Sequence, residues 1–267
     1  MAQTALQRVA LVTGASSGIG YETALAFAKR GVNVVGTARR VDRLRELGER
    51  ITALPAPHGE FLAVEADVRE AAAMQSAVQQ TIERFGRLDI LVANAGLGQR
   101  GGVVDSHWEH LETVVRTNID GVLHSVRAAV PEMRKTGGGH LILISSVVFN
   151  MVGPYMATYA ASKAFVSSLA HSLRLELKGD NIVVTDIIVG RTETEFNDKR
   201  LGAPRTSKGS GITRVPVQSA AYVAEGIVKA ALSKRRTVTL RWYDKLLVLG
   251  NALVPDFIGR LSMRQYK

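Results

Sequence analysis

Cysteine is missing altogether from this sequence of 267 residues. Its absence excludes disulfides, thiolate zinc sites, iron–sulfur clusters and cysteine nucleophiles. Any chemistry must therefore come from other side chains or from a bound cofactor. No metal site is predicted.

Long apolar runs are also missing. A membrane-spanning helix needs about 20 predominantly apolar residues in succession, whereas the most apolar tract near the end, residues 246–258, contains Gly250, Asn251, Pro255 and Asp256. The first eight residues carry no basic stretch followed by an apolar one, the pattern of an export signal. We therefore expect a protein without a transmembrane segment, located in the cytoplasm.

Negative charge is scarce relative to positive charge. Lysine and arginine number 34 against 24 aspartate and glutamate residues, for a formal net charge of +10. Such an excess favours an anionic partner. No nucleic-acid partner is expected, because the cations are dispersed and no base-reading module or basic stripe with interleaved aromatic residues is present.

The apolar pattern alternates short β-branched runs with longer segments of helical period, which is typical of parallel strands joined by crossover helices. Several strands are apolar on both faces, as strands covered by helices on both sides are. The pattern predicts an α/β, Rossmann-type doubly wound, mainly parallel seven-stranded sheet with helices on both faces. Strands are predicted at residues 9–13, 32–37, 61–66, 90–93, 140–145, 182–188 and 237–240. Helices are predicted at residues 18–30, 70–85, 111–134, 155–178 and 219–232.

No linker or repeat divides the chain, so residues 1–267 are predicted to form a single domain. Residues 195–216 are rich in glycine, proline and cations, and a loop of that length is uncommon unless it is functional or disordered. They form either a solvated insertion or a substrate lid. Residues 241–267 form a C-terminal appendage whose composition suits an interfacial amphipathic helix. Packing of this appendage against the domain or another subunit is the preferred interpretation.

A glycine-rich turn follows the first predicted strand and opens a helix. Gly14 permits the tight turn, Gly18 lets the backbone approach a pyrophosphate, and Gly20 lets the helix pack closely on the sheet. Amide groups at the helix N-terminus bind the anion. The turn therefore predicts a dinucleotide phosphate site. This site comprises Gly14, Ser16, Ser17, Gly18, Ile19 and Gly20.

The end of the second predicted strand carries Arg39 and Arg40. A carboxylate there would bind the ribose 2′-hydroxyl of NAD(H), whereas a guanidinium pairs with a 2′-phosphate. The sequence thus favours NADP(H) over NAD(H), with two solvated loop arginines as the alternative. Further cofactor-site candidates at the ends of the third and fourth strands are Asp67, Val68, Asn94, Ala95 and Gly96. Of these, Asp67 suits contact with adenine and Asn94 suits bracing of the loop.

Tyr159 and Lys163 lie four residues apart in a predicted helix, so their side chains share one face. A tyrosine has an ordinary pKa of about 10, and a nearby ammonium would lower this pKa towards the range of a general acid or base. Ser146 follows the fifth predicted strand, where its hydroxyl can hold a substrate oxygen against Tyr159. Asn118 lies mid-helix among apolar residues, where asparagine is disfavoured. It is either a functional residue or a core residue.

In order and spacing, these residues resemble the short-chain dehydrogenase/reductase family over residues 8–194. The motifs that carry the resemblance are Thr13-Gly-x-x-x-Gly-x-Gly20, Asp67, Asn94-Ala-Gly96, Asn118, Ser146 and Tyr159-x-x-x-Lys163. The resemblance implies that Tyr159 exchanges a proton while Ser146 holds the substrate oxygen. It also implies that Lys163 binds the nicotinamide ribose and that Asn118 holds a water linked to Lys163. A homodimer or homotetramer is implied as well, which light scattering would test.

The loop after the sixth predicted strand departs from the family pattern. The family usually has Pro-Gly there, followed by a threonine that contacts the cofactor. Here Val189 takes the place of the proline, and Gly190 is kept. We expect the loop on the nicotinamide side to be retained, with Thr192 or Thr194 near the nicotinamide carboxamide.

The segment that follows Ser146 is mostly apolar and predicts a small hydrophobic carbonyl compound or alcohol as substrate. Predicted substrate-binding residues are Ser146, Val148 and Tyr159. Neighbouring candidates are Leu97, Val147, Phe149, Asn150, Met151, Val152 and Met156. The combined interpretation is an NADP(H)-dependent oxidoreductase that transfers hydride between nicotinamide and a carbonyl group or secondary alcohol. The alternative is a catalytically idle nucleotide sensor or scaffold on the same fold.

Overall fold

The computed structural model describes residues 8–150, 153–202 and 216–263. Seven strands form its central sheet. They are β1 (Val9–Thr13), β2 (Asn33–Ala38), β3 (Phe61–Glu65), β4 (Ile90–Ala93), β5 (Gly139–Ser146), β6 (Ile182–Val189) and β7 (Thr237–Thr239). Their order across the sheet is β7-β6-β5-β4-β1-β2-β3, and every neighbouring pair is parallel. The predicted fold class is confirmed.

Helices cover both faces of this sheet. They are α1 (Gly18–Ala28), α2 (Val41–Thr52), α3 (Ala71–Phe85), α4 (Trp108–Val115), α5 (Gly121–Lys135), α6 (Ala157–Glu176), α7 (Ala220–Ser233), α8 (Trp242–Leu253) and α9 (Pro255–Met263). Side chains alternate between the faces along β1, where Ala10 and Val12 pack with α1, α2 and α7. Val9 and Leu11 pack with α3, α5 and α6 on the other face. The sheet is therefore buried on both sides, as its apolar strands require.

The strand order places a crevice at the centre of the molecule. The chain proceeds outwards from β1 to β2 and β3, then returns to the other side of β1 and proceeds outwards again from β4. At such a switch point the loops at the carboxyl ends of neighbouring strands diverge, which leaves room for a ligand.

Several helices differ from the sequence predictions. Helix α2 was not predicted, although its buried residues Leu44, Leu47 and Ile51 have helical spacing. The helix predicted at residues 111–134 is present from Trp108 to Lys135, but the π-helical turn Arg116–Asp120 inside it separates α4 from α5. The helix predicted to begin at residue 155 begins at Ala157, since Tyr155 has a φ of +60°, which a right-handed helix does not accommodate.

His140 on β5 is a buried titratable side chain beside α7. Its Nδ1 lies 3.2 Å from the carbonyl oxygen of Ala231. That oxygen only accepts, so Nδ1 carries the proton, and Nε2 lies 2.7 Å from the Thr185 hydroxyl, which itself donates to the carbonyl oxygen of Arg235. Burial lowers the pKa of His140 from 6.5 to about 4, and the positive charges of Lys234 and Arg8 add to this effect against the opposing hydrogen bond to Ala231.

We expect acid to destabilise the protein through His140. The unfolded chain takes up a proton near pH 6.5, whereas the folded chain resists protonation down to about pH 4. The free energy of unfolding therefore falls across that window, by about 3 kcal/mol. Urea unfolding at about pH 7 and about pH 4 measures this loss, which should be smaller in His140→Gln. An equal loss in both proteins would show that His140 is not the source of the acid sensitivity.

Candidate active site

A cavity of about 1080 Å³ opens at the carboxyl ends of the sheet strands. Predicted site residues that line it are Gly14, Ser16, Ser17, Gly18, Ile19, Arg39, Arg40, Asp67, Val68, Asn94, Ala95, Gly96, Ser146, Val148, Tyr159, Lys163, Thr192 and Thr194. Leu97, Val147 and Met156 line it as well, whereas Gly20, Asn118, Phe149 and Asn150 do not. Met151 and Val152 lie outside the described residues. Residues from distant parts of the sequence thus converge on one space.

The glycine turn between β1 and α1 fits a pyrophosphate. Gly14 and Gly18 have positive φ angles of +70° and +57°. A Cβ at Gly20 would lie 2.4 Å from the carbonyl oxygen of Gly14, so only glycine lets α1 begin this close to β1. The Ser17 side chain at the N-cap makes no capping hydrogen bond. The amide groups of the first turn are therefore available to an anion.

Arg39 and Arg40 both line the cavity after β2, but their partners differ. Arg40 Nη2 donates to the hydroxyls of Ser16 and Ser17 at 3.1 and 2.8 Å. The Arg39 side chain is 62% exposed, and its Nη1 lies 3.9 Å from Oδ2 of Asp67. The two guanidinium groups give this wall of the cavity its positive charge.

Asp67 is held by Arg69, a residue that sequence reasoning missed. Arg69 donates to the carboxylate from Nε, at 3.1 and 3.0 Å, and from Nη2, at 2.6 Å. Burial alone would raise the pKa of Asp67, but the hydrogen bonds from Arg69 and the charge of Arg39 hold that pKa below its ordinary value. The carboxylate is ionised and already engaged, so the adenine contact expected of Asp67 stays a prediction.

Asn94 ties the end of β4 to the end of β1. Its Nδ2 donates to the carbonyl oxygen of Thr13 at 2.9 Å. The backbone amides of Asn94 and Ala95 both donate to the Thr13 hydroxyl at 3.0 Å. These bonds fix the floor of the cavity next to the glycine turn.

Tyr159 lies in the first turn of α6, and its phenol lies near the hydroxyl of Ser146 at the end of β5. Its ring packs against Phe196, with 5.5 Å between ring centroids. Burial raises the pKa of Tyr159, while the hydrogen bond from Ser146 and the positive charge of Arg200 act in the opposite direction. The net shift is upward, in contrast to the lowering expected from the Lys163 ammonium.

Lys163 is buried between α6 and the sheet, one helical turn after Tyr159. Its Nζ donates to the carbonyl oxygen of Ile144 at 2.9 Å, which directs the ammonium towards β5. Burial lowers the pKa of Lys163 to about 8, and the carboxylate of Asp186 opposes that shift. A Cβ added at Gly96 would lie 3.4 Å from Nζ, so the loop after β4 closes over the ammonium.

Asp186 on β6 is a second buried charge that sequence reasoning missed. Its Oδ1 accepts from the Ser145 hydroxyl at 2.5 Å and its Oδ2 accepts from the Ser167 hydroxyl at 2.7 Å. Ser167 lies one turn after Lys163 on the same face of α6. A carboxylate inside an otherwise apolar strand needs partners, and this was the signal that would have found it.

Asn118 lies in the π-helical turn between α4 and α5 and is fully buried. Its Oδ1 accepts from the backbone amide of Leu97 at 2.8 Å. Its Nδ2 donates to the Leu97 carbonyl oxygen and the Ser162 hydroxyl, both at 2.9 Å. Asn118 thus braces the loop after β4, and the water-holding role implied by the resemblance stays a prediction.

The loop after β6 keeps both threonines at the cavity. The Thr192 hydroxyl donates to the carbonyl oxygen of Gly190 at 3.0 Å and accepts from Gln218 at 3.1 Å. A Cβ at Gly18 would lie 3.1 Å from Cγ2 of Thr194. The loop therefore passes directly over the glycine turn.

A buried ion pair at the start of α8 packs against this loop. Arg241 donates from Nε and Nη2 to the two carboxylate oxygens of Asp244, at 2.7 and 2.9 Å. Its Nη1 donates to the carbonyl oxygen of Pro216 at 2.5 Å. Asp244 and Leu247 also line the cavity. Part of the C-terminal appendage is thus a wall of the site, which the sequence analysis did not foresee.

The segment predicted as a lid is described only as far as Gly202, since residues 203–215 lie outside the described residues. Residues 195–200 line the cavity. The two-residue strand Leu201–Gly202 then pairs with Gln99–Arg100 in the loop after β4. A second short pair, Thr192–Glu193 with Gln218–Ser219, joins the two ends of this segment. Whether the segment acts as a lid stays a prediction.

The outer face of the C-terminal helices is apolar and exposed. The side chains concerned are Trp242, Leu246, Leu249 and Leu253 on α8 and Phe257 on α9. Within residues 8–150, 153–202 and 216–263, no helix combines the length and the apolar character that crossing a membrane requires. Contact of this face with a membrane surface or with another subunit stays a prediction.

Comparison with known proteins identifies relatives along the chain. Residues 8–203 match the family model described as short chain dehydrogenase. The Arabidopsis thaliana protein named 11-beta-hydroxysteroid dehydrogenase 1A is 34% identical over 264 residues, which cover 94% of this chain and 73% of that protein.

Solved structures share the architecture. A short chain dehydrogenase/reductase from Burkholderia phymatum, in complex with NAD, superposes with a TM-score of 0.83 at 24% identity, covering 94% of each chain. An alcohol dehydrogenase from the archaeon Thermococcus sibiricus, in complex with 5-hydroxy-NADP, gives a TM-score of 0.76 at 26% identity. That match covers 88% of this chain and 96% of the archaeal one.

We expect Gly190→Ala to destabilise the protein. The added methyl would lie 2.4 Å from both Arg241 Nη2 and Asp244 Oδ2, and disruption of a buried ion pair costs about 3–5 kcal/mol. Gly250→Ala in α8 is the matched control, since its Cβ would meet nothing within 4 Å. That control should stabilise the helix by about 0.5–1 kcal/mol. Urea unfolding measures both, and equal stability of the two variants would contradict the expectation.

Proposed function

Because the chain belongs to the short-chain dehydrogenase/reductase family, we propose that it is an NADP(H)-dependent oxidoreductase with Tyr159 as its general acid and base. Its substrates would be a carbonyl compound and the corresponding secondary alcohol. Family membership makes the chain an oxidoreductase with a fold that binds nicotinamide dinucleotides. The choice of NADP(H), the role of the tyrosine and the substrate are the proposal.

The observation that carries the proposal is the proximity of the Ser146 and Tyr159 hydroxyls at the wall of the cavity. Two hydroxyls from different elements can converge on one substrate oxygen, and Lys163 provides a positive charge one helical turn away. This arrangement suits proton transfer to or from an oxygen atom.

The residues around the cavity fit a nicotinamide dinucleotide. Those that would hold it are Gly14, Ser16, Ser17, Gly18, Ile19, Gly20, Arg39, Arg40, Asp67, Val68, Asn94, Ala95, Gly96, Tyr159, Lys163, Thr192 and Thr194. The fit rests on the glycine turn, where positive φ angles and the contact at Gly20 exclude larger residues. When bound, the cofactor supplies or accepts hydride, chemistry that side chains do not provide.

In the direction of reduction, the substrate carbonyl oxygen accepts hydrogen bonds from Ser146 and Tyr159. As the carbonyl carbon takes up hydride, negative charge develops on that oxygen, and the Tyr159 phenol transfers its proton there. The product is the neutral alcohol, and the residue left behind is a phenolate. The Lys163 ammonium stabilises this phenolate. Because the pKa of Lys163 is about 8, the lysine is mostly charged at neutral pH.

The raised pKa of Tyr159 matters for the direction of the reaction. At neutral pH the phenol retains its proton, so Tyr159 is ready to act as an acid in reduction. Oxidation of an alcohol needs the phenolate instead, and the upward shift disfavours this direction at neutral pH.

The preference for NADP(H) is supported by the two arginines after β2. Arg39 extends into the cavity with a largely exposed guanidinium, and Arg40 lies against the glycine turn. Guanidinium groups form charge-assisted hydrogen bonds with phosphate oxygens. No carboxylate takes the corresponding place at the end of β2, which ends at Ala38.

An apolar substrate is supported by the side chains near Ser146 and Tyr159. Val148, Met156 and Leu247 line the cavity, and Phe196 packs on the tyrosine ring. The A. thaliana relative is named as a dehydrogenase of an 11-beta-hydroxysteroid, which agrees with a hydrophobic carbonyl compound or alcohol as the substrate class.

Other features of the chain remain proposals of the same kind. These are a single nucleotide-binding domain over residues 1–267 with a substrate lid at 195–216, assembly into a homodimer or homotetramer, and a cytoplasmic location. A catalytically idle nucleotide sensor on this fold is the rival function. The tyrosine variant below separates the two.

Tyr159→Phe should lower kcat for reduction of ketones by NADPH by about 10²–10⁴-fold, because it removes the transferred proton. NADPH affinity should stay within about threefold, since the ring is kept. Tyr222→Phe on α7, whose hydroxyl bonds the Leu240 carbonyl oxygen, is the control and should keep full activity. NADPH absorbance across a panel of ketones and alcohols measures turnover. Absence of turnover by the unmodified protein would favour the sensor, and an unaffected Tyr159→Phe rate would refute the mechanism.

Arg39→Ala should reduce the preference for NADPH over NADH. Loss of a charge-assisted hydrogen bond costs about 1.5–3 kcal/mol, so the affinity for NADPH should fall about 10-fold to 100-fold while that for NADH changes little. Isothermal titration gives both dissociation constants. Arg45→Ala, on the exposed face of α2, controls for loss of charge. Equal binding of the two cofactors by the unmodified protein would refute the preference itself.

A further inference from the structure

Glu195 places a carboxylate among three cations, of which Arg40 and Lys199 line the cofactor cavity. It follows Thr194 in the loop after β6 and lines the cavity. Its Oε2 accepts from Arg40 Nη1 at 3.2 Å, and its Oε1 accepts from Arg43 Nη2 at 3.2 Å. Lys199, one turn further along the loop, donates to the same carboxylate. Three cations thus surround one anion.

Arg40 connects this carboxylate to the glycine turn. While Nη1 bonds Glu195, Nη2 bonds the hydroxyls of Ser16 and Ser17. The guanidinium therefore has its two terminal nitrogens already occupied, one by the turn and one by Glu195. Any other anion must therefore compete with Glu195 for Nη1 of Arg40.

Glu195 stays ionised, but its ion pairs with the arginines are weak enough for another anion to replace it. The hydrogen bond from Lys199, helped by that from Arg40, lowers the pKa of Glu195 to about 2 against the opposing effect of burial, so the carboxylate is ionised at neutral pH. The side chains of Glu195 and Arg40 are both 38% exposed. Ion pairs this exposed contribute little to stability, so a competing ligand can displace them.

We propose that Glu195 is a specificity-determining residue that engages Arg40 within the 2′-phosphate subsite formed by Arg39 and Arg40 and competes there with the 2′-phosphate of NADP(H). This inference rests on the proposed function, because it presumes that a phosphate binds these arginines. The phosphate is a dianion with three acceptor oxygens. It must either displace the carboxylate or share the arginines with it at the cost of repulsion. NAD(H) has no such group and avoids the conflict.

Competition between Glu195 and the 2′-phosphate also concerns Tyr159, because the two residues are linked through the loop after β6. Phe196, the next residue after Glu195, packs on the ring of Tyr159. Displacement of Glu195 from Arg40 would therefore act on the residue next to the one that packs on Tyr159. The adjacent residues Glu195 and Phe196 thus link binding of the phosphate to the packing around Tyr159.

Glu195→Gln tests the inference by binding alone, with NADPH and NADH as probes and the full chain as the protein. The variant keeps the shape of the side chain and removes its charge. We expect NADPH to bind about threefold to tenfold more tightly, in keeping with the strength of exposed ion pairs, and NADH affinity to change less than about twofold. Isothermal titration at constant ionic strength measures both.

Glu46→Gln is the matched control. Glu46 pairs with the same Arg43 at 2.9 Å but does not line the cavity, so its neutralisation should leave both affinities unchanged. In an Arg40→Ala background, Glu195→Gln should lose most of its effect, because the shared cation is gone.

The outcomes separate this inference from the cofactor preference. If the unmodified protein prefers NADPH and Glu195→Gln leaves NADPH affinity unchanged or weaker, the role of Glu195 is refuted and the preference stands. If both cofactors bind the variant more tightly by the same factor, Glu195 faces the pyrophosphate, and the 2′-phosphate subsite is refuted. If the unmodified protein shows no preference and the variant gains one for NADPH, the preference is refuted and the role of Glu195 is supported.

Discussion

Burial of the Lys163 ammonium between α6 and the sheet is the constraint on which the site depends. The fall in its pKa from 10.5 to about 8 corresponds to about 3 kcal/mol against the charged form at neutral pH. The Ile144 carbonyl oxygen and the nearby Asp186 carboxylate offset part of that cost. With Lys163 fixed, the helical repeat sets Tyr159 one turn earlier, facing Ser146 at the end of β5. Stability is thus lost at the position where the proposed chemistry needs a positive charge.

The parts of the site that could be predicted are those whose signals are local in sequence. The glycine turn occupies eight consecutive residues, and the spacing of Tyr159 and Lys163 follows from the period of one helix. Ser146, Asn94 and Asp67 follow apolar strands, and parallel strands bring their carboxyl ends to one edge of the sheet. Few topologies are possible for alternating strands and helices. The residues that carry these local signals can therefore be predicted to lie close together.

The parts that could not be predicted depend on partners far apart in the chain. Asp186 is held by Ser145 and by Ser167, and Glu195 reaches back to Arg40 across the cavity. A single sequence contains no signal that pairs such positions. Asn118 was recognised as unusual, but the π-helical turn that directs it to Leu97 arises from tertiary packing, and not from helix propensity.

The position of α8 bears on how the protein becomes active during synthesis. The sheet strands and the glycine turn emerge from the ribosome early, and domains begin to fold as they emerge. The wall formed by Asp244 and Leu247 is translated after all seven strands of the sheet. A chain that already holds the nucleotide turn and Tyr159 therefore lacks this wall of the cavity until α8 docks on Gly190.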